Sequence, residues 1–338
     1  MNRHRSQFVA LIFSVLLASL FLLSDLGSAA TKGSIGVGVT GSQWYIFASA
    51  ISQISAAQKT GVDLIVKGTG GGAENQRLAG KGEMEFGFTL APDTGEAYAG
   101  RGVYKGQQDQ FKLLRAVFAY PYGGTQICVV SKSNIKRMAD LKGKKISVGA
   151  PGSSGAVFFN PVILAEHGVT KENSKFEYLT VTTAGDQLKD GHIDAMIVQQ
   201  RDPMSQIMDL SVFRPVRLIP LEKDAMERIF KKIPGTYEET VPAKLYGDRQ
   251  VNEEDVRSLG FASMLVTHSK MSEKDIYSVT RALFDNLPEF YRSHAGAKAV
   301  TLEGALKGMT IPLHVGAMKY FQEKGTKIPS DLVSPDVK

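Results

Sequence analysis

A glycine-bearing motif occurs twice in this chain, about 110 residues apart. Val37-Gly38-Val39-Thr40-Gly41-Ser42 returns as Val148-Gly149-Ala150-Pro151-Gly152-Ser153. A second pattern follows each copy at nearly the same distance: Leu78, Gly82, Glu85 and Phe88, then Leu188, Gly191, Asp194 and Ile197. Strand, glycine loop, helix, then a glycine and an acid ahead of another apolar run describes a unit built twice. Two such units predict two α/β lobes facing each other over a cleft, the usual seat of a small ligand.

The periodicities fill in the units. Apolar spacing predicts a strand over 34–39, a helix over 44–57, a strand over 62–66, a helix from 74 and a strand over 84–88. The pattern restarts with a strand over 145–148, a loop over 149–155 and a helix over 156–166, where Pro161 marks either a kink or a later start. Strands over 176–181, 195–198 and 216–220 enclose a helix over 184–189. Two long runs, 113–131 (interrupted at 120–124) and 258–268, serve as crossings between lobes and together make a hinge. Residues 223–256 are polar and weakly patterned, Ser272-x-x-Asp275 opens a further helix, and the tail from Lys327 is expected to be loose. The expected division is 31–125 with 265–338 in lobe 1, and 126–264 in lobe 2.

The first thirty residues form a leader. Arg3, His4 and Arg5 precede an apolar run from Phe8 to Leu23, and Ser28-Ala29-Ala30 supplies small residues for cleavage after Ala30. The expectation is export to the periplasm, with a mature body that is not embedded in the membrane. The net charge of +6 is scattered and has no interleaved aromatics, which argues against nucleic acid as a partner. Cys128, the one cysteine, lies in an apolar run and reads as a buried thiol.

Three glycine loops, 38–42, 69–72 and 149–155, stand at strand-to-helix junctions, where backbone N–H groups and helix dipoles favour anions. The candidate ligand contacts are Thr40, Gly41, Ser42, Gln43, Trp44 and Tyr45 in the first, Thr69, Gly70, Gly71 and Gly72 in the second, and Ser153, Ser154 and Gly155 in the third. Tyr122 and Gln126 beside the first crossing join them, with Gln199, Gln200 and Arg201 at a strand's carboxyl end. Trp44 and Tyr45 serve equally well as core residues. Arg201 is either a carboxylate clamp or a solvated loop residue. Asp93 and Glu96 read as helix-capping acids.

Gly36-x-Gly38-x-x-Gly41 has the spacing of a dinucleotide fingerprint, but the second strand ends in Lys67 instead of a ribose-binding acid. No cofactor is expected. The six histidines form no metal-binding pair, and no nucleophile, base and oxyanion donor assemble, so a binder is favoured over an enzyme.

Several segments in this order resemble the TAXI family, the substrate receptors of tripartite ATP-independent periplasmic (TRAP) transporters. They are the loop before Trp44-Tyr45, Gly68-Thr69-Gly70-Gly71-Gly72-Ala73-Glu74-Asn75, Asp140-Leu141-Lys142-Gly143-Lys144 and Val148 to Ser153. Leu188 to Ala195, Val241-Pro242-Ala243, Ile311-Pro312-Leu313-His314, Gly316-Ala317 and Tyr320-Phe321 complete the set, over about residues 33 to 325. The resemblance implies a type II periplasmic-binding-protein-like fold that captures a small organic acid, glutamate or a dicarboxylate, by lobe closure. It also implies TRAP membrane permease subunits as partners. An exported enzyme or a ligand-presenting sensor on the same scaffold remains the alternative. Gln43-Trp44-Tyr45, Phe158-Phe159 and Gln199-Gln200-Arg201 depart from the family's pattern, so the scaffold carries over more firmly than the ligand.

Overall fold

A computed structural model describes residues 30–130, 132–200 and 202–337. The leader up to residue 29 and the candidate Arg201 lie outside them. The elements run β1 (Thr31–Gly36), α1 (Gln43–Ala57), β2 (Val62–Lys67), α2 (Gly72–Lys81), β3 (Phe86–Leu90), α3 (Ala91–Ala99) and β4 (Leu114–Val130). The second unit holds β5 (Lys145–Ser147), α4 (Asn160–Glu166), β6 (Lys175–Glu177), α5 (Val181–Asp190), β7 (Ala195–Gln200), α6 (Ser205–Phe213) and β8 (Val216–Leu218). Then come α7 (Lys223–Lys232), β9 (Tyr237–Val241), β10 (Val256–His268), α8 (Glu273–Asp285), α9 (Leu287–Ser293) and α10 (Val315–Glu323).

The strand order β2-β1-β3-β10-β4-β7-β5-β6 is a palindrome of the repeat. β1 and β5, β2 and β6, β3 and β7 occupy matching places, and β10 and β4 meet in the middle as an antiparallel pair. β1 runs parallel to β3, and β5 runs parallel to both β6 and β7. This is the type II periplasmic-binding-protein arrangement, two α/β lobes joined by two crossing strands.

The second repeated motif has a structural cause. Gly82 and Gly191 end α2 and α5 in the left-handed conformation, with φ of 73° and 80°. Glu85 then accepts the backbone N–H of Ser34 at 2.7 Å, and Asp194 accepts that of Lys145 at 2.8 Å. Each acid ties the strand that follows its helix to the unit's first strand. At Gly191 an added Cβ would meet nothing within 4 Å, so its cost is purely conformational. Gly191→Ala should therefore lower stability by about 1–2 kcal/mol. Urea unfolding that gives no loss would show that this turn does not need glycine.

Several expectations change. The crossing 114–130 is one strand: Phe261 pairs with Gly123 and Ala262 with Pro121, so Tyr122 is the extra residue of a bulge, not part of an interruption. The helix expected over 156–166 is a π turn at Gly155–Phe159 followed by α4, with Pro161 in the first turn where its missing N–H costs little. The weakly patterned stretch holds α7, which buries Ala225, Met226 and Ile229 on one side, and β9 on the edge of β10. The tail is not loose: Leu332 is buried, its carbonyl accepts Leu313 N–H, and Asp336 pairs with buried Arg115.

Candidate functional site

The loops that follow β1 and β2 in one lobe meet the loop that follows β5 in the other. Glu74 N–H donates to Gly152 O at 3.0 Å, a backbone bond from the first turn of α2 to the second lobe. The approach requires glycine: a Cβ on Gly70 would stand 2.5 Å from Pro151 O, and one on Gly72 would stand 2.6 Å from Ser154 Oγ. Between the loops lies a cavity of about 120 Å³. At about 30 Å³ per water, that is room for roughly four water-sized groups.

The starts of several helices converge on it. Ser42 caps α1, Gly71 precedes α2, Ser154 precedes the π turn, and Thr180 caps α5; all four line the cavity. Helix starts carry partial positive charge and point N–H groups outward. Among the described residues lining the cavity, none carries a formal charge. The wall between the helix starts is aromatic and aliphatic. Trp44 stacks on Phe88 at 6.0 Å and meets Tyr122 at 5.3 Å, while its Nε1–H donates to Ser263 Oγ. Trp44 thus belongs to the core and to the lining at once. The bulge in β4 is what turns Tyr122 into this wall.

Of the residues singled out from sequence, Ser42, Trp44, Gly70, Gly71, Gly72, Tyr122, Ser153, Ser154, Gly155, Gln199 and Gln200 line the cavity. Thr40 and Gly41 are exposed outside it, Gln43 is not among the lining and buries its amide without a hydrogen-bond partner among the described residues, and Tyr45 packs against the main core. Thr69 stands behind the lining and uses its hydroxyl to hold the loops: it accepts Gly38 N–H at 3.0 Å and Gly71 N–H at 3.2 Å, and donates to Asn75. Glu74 takes Gly70 N–H at 2.6 Å. The amides of Gly38, Gly70 and Gly71, expected to be bare, are satisfied within the protein. Gln126 is buried away from the cavity, where it donates to Asp202 and accepts Tyr246 O–H at 2.7 Å. It orders the turn after β7 without facing the cleft.

Ser153 accepts Ala156 N–H and donates to Ala150 O, so its hydroxyl serves its own loop. Gln199 donates to Asn160 and fills the space above Gly155. Ser154 differs from both: its buried hydroxyl makes no well-formed hydrogen bond within its own loop. Sequence reasoning passed over Leu179 and Thr180 between β6 and α5 and Val181 at the start of α5, which also line the cavity. The signal was the repeat itself. This junction is the counterpart of the loop between β2 and α2, but it carries no glycine to mark it. Among the described residues no cluster of histidine, cysteine or acidic side chains could hold a metal ion. No described helix is long and apolar enough to cross a membrane.

Among solved structures, the chain is similar to a protein of Bordetella bronchiseptica RB50, at 20% identity over 90% of this chain and 85% of that one, with a TM-score of 0.51. It is similar at lower scores to two others. One is DctP7, a Bordetella pertussis extracytoplasmic solute receptor binding pyroglutamic acid (14% identity, 88% and 92% covered, TM-score 0.47). The other is the periplasmic aliphatic sulphonate binding protein SsuA of Escherichia coli (15%, 87% and 90%, 0.42). The first of these likenesses is one of fold. The NMT1-like family matches residues 35–325, nearly all of the two units and both crossings, and the chain belongs to that family.

Proposed function

We propose that the protein is an extracytoplasmic solute-binding receptor of a TRAP transporter of the TAXI type. It captures a small organic acid, glutamate or a dicarboxylate, by lobe closure and delivers it to a membrane permease. The observation that carries this reading is the meeting of glycine loops from both lobes around one small cavity onto which helix starts converge. Such a cavity offers an anion the partial positive charge of helix starts, with no formal charge among the described lining residues, which suits reversible capture. The leader over 1–30 is read as a cleaved export signal that sends the protein to the periplasm. The lobes are read as 31–125 with 265–338, and 126–264.

A thermal-shift screen with organic acids, amino acids, sugars and metal salts tests the reading. A carboxylate ligand at 100 times its dissociation constant should stabilise the fold by about 2.7 kcal/mol. If sugars or cations raise the melting temperature and no acid does, the anion reading is wrong.

A further inference from the structure

Asp93 lies in the first turn of α3, but that helix has no side-chain cap. The carboxyl is instead fully buried. Tyr104 donates its hydroxyl to Oδ1 at 2.5 Å, while Oδ2 makes no well-formed hydrogen bond among the described residues. Ser154 reaches this carboxyl from the other lobe and is itself 2% exposed; its Oγ makes no well-formed hydrogen bond to any other group among the described residues. Ser154 also lines the cavity. One hydroxyl therefore stands between the captured ligand and a carboxyl sealed inside the first lobe.

Burial pushes the Asp93 carboxyl up to about 6. Ser154, Tyr104 and Gln76 oppose the rise, and Glu96, one turn further along α3, adds to it by repulsion. Glu96 is itself engaged by Arg101 at 2.6 Å. The four groups that act most on Asp93, Ser154, Tyr104, Gln76 and Glu96, include no cation. An anion entering the cavity brings a second negative charge into the same dry region, which disfavours the charged carboxylate. A proton taken from solvent by Asp93 relieves the conflict. The neutral acid then donates to Ser154 Oγ, and Ser154 turns its own hydrogen toward a ligand oxygen. An ionised Asp93 does the reverse, accepting the Ser154 hydrogen and leaving only a lone pair toward the cavity.

We propose that Asp93 takes up a solvent proton as the cleft closes on its anion, and so makes Ser154 a donor to the ligand. The proposal rests on the receptor reading above. Asp93 is a positioning residue, because it acts through Ser154 and does not itself line the cavity.

Calorimetric titration with L-glutamate and with succinate, at about pH 7 in two buffers of different ionisation enthalpy, counts the protons taken up. The parent protein should take up a fraction approaching one proton per ligand. Its affinity should be level below about pH 6 and fall by up to about tenfold per pH unit above it. The sign follows from the raised value in the closed form: the contribution is present at low pH and lost as pH rises. In Asp93→Asn the uptake should vanish and the profile should flatten. Tyr104→Phe, which removes a donor to the charged form, should move the break to higher pH. Without ligand, Asp93→Asn should melt above the parent at about pH 8, with a gap that narrows as pH falls toward the ordinary carboxylate range. Tight binding with no proton uptake, or with equal uptake in Asp93→Asn, overturns the proposal and leaves the receptor reading standing. If no carboxylate binds at all, the receptor reading fails and takes this proposal with it.

Discussion

Gly70→Val should leave a folded protein that binds its ligand about ten- to hundredfold more weakly. The effect is confined to closure. A Cβ on Gly70 meets Pro151 O at 2.5 Å and Gly152 Cα at 3.4 Å, both backbone atoms of the opposite lobe that cannot turn aside. Within its own lobe the nearest atom to the Cβ is Glu74 Oε2, at 2.7 Å, the far end of a flexible side chain. Overpacking of this kind costs about 1–3 kcal/mol, and about 1.4 kcal/mol is a tenfold change in affinity. An open cleft does not feel the added side chain, so the melting temperature without ligand should stay close to the parent's. Titration calorimetry and thermal melting on the same preparation separate the two quantities. Unchanged affinity would mean that the loops at 70 and 151 do not approach each other in the liganded protein, and the capture mechanism would then have to be rebuilt.

What made the lobes readable was local chemistry repeated in order. A glycine that ends a helix in the left-handed region and an acid that ties the next strand are set by a few neighbouring residues, so Gly82 with Glu85 and Gly191 with Asp194 show in the sequence. The cavity was legible only where backbone demanded glycine. Thr180 lines it by virtue of its place in the repeat, and nothing in its own neighbourhood says so. Thr69 and Gln126 were picked out as polar side chains near the loops, yet both spend their hydrogen bonds inside the protein. Side-chain type signals a polar role without telling which partner is met, because partners such as Tyr246 lie far along the chain. Asp93 shows the same limit: a helix-start acid reads as a cap until the packing of Tyr104 and Ser154 around it is seen. α7 was missed for a different reason. Its buried face is only Ala225, Met226 and Ile229, too narrow to outweigh the charges around it.

The carboxyl-terminal tail gives the largest expected effect on stability. Asp336→Ala should cost about 3 kcal/mol, and deletion of residues 328–338 should cost more. Arg115 is 4% exposed on β4, and its guanidinium meets Asp336 through two bonds, Nε to Oδ2 at 2.5 Å and Nη2 to Oδ1 at 2.8 Å. Removing one member of a buried pair strands the other charge, at a cost of about 3–5 kcal/mol. The lower end applies here because Asp336 is about a third exposed and Arg115 Nη1 keeps the carbonyls of Lys112 and Leu114. Deletion also uncovers the site of Leu332, whose burial is worth about 1.5–3 kcal/mol, and frees Leu313 N–H beside β4. The pH dependence has a definite sign. The Arg115 bond holds the Asp336 carboxyl below its ordinary value. Its contribution is therefore full above the unfolded carboxylate range and is lost as pH falls through the lower, folded value. Urea unfolding of parent and Asp336→Ala at neutral and acid pH should show a gap that closes on acidification. A variant as stable as the parent at neutral pH would return the tail to the loose segment its two prolines suggested.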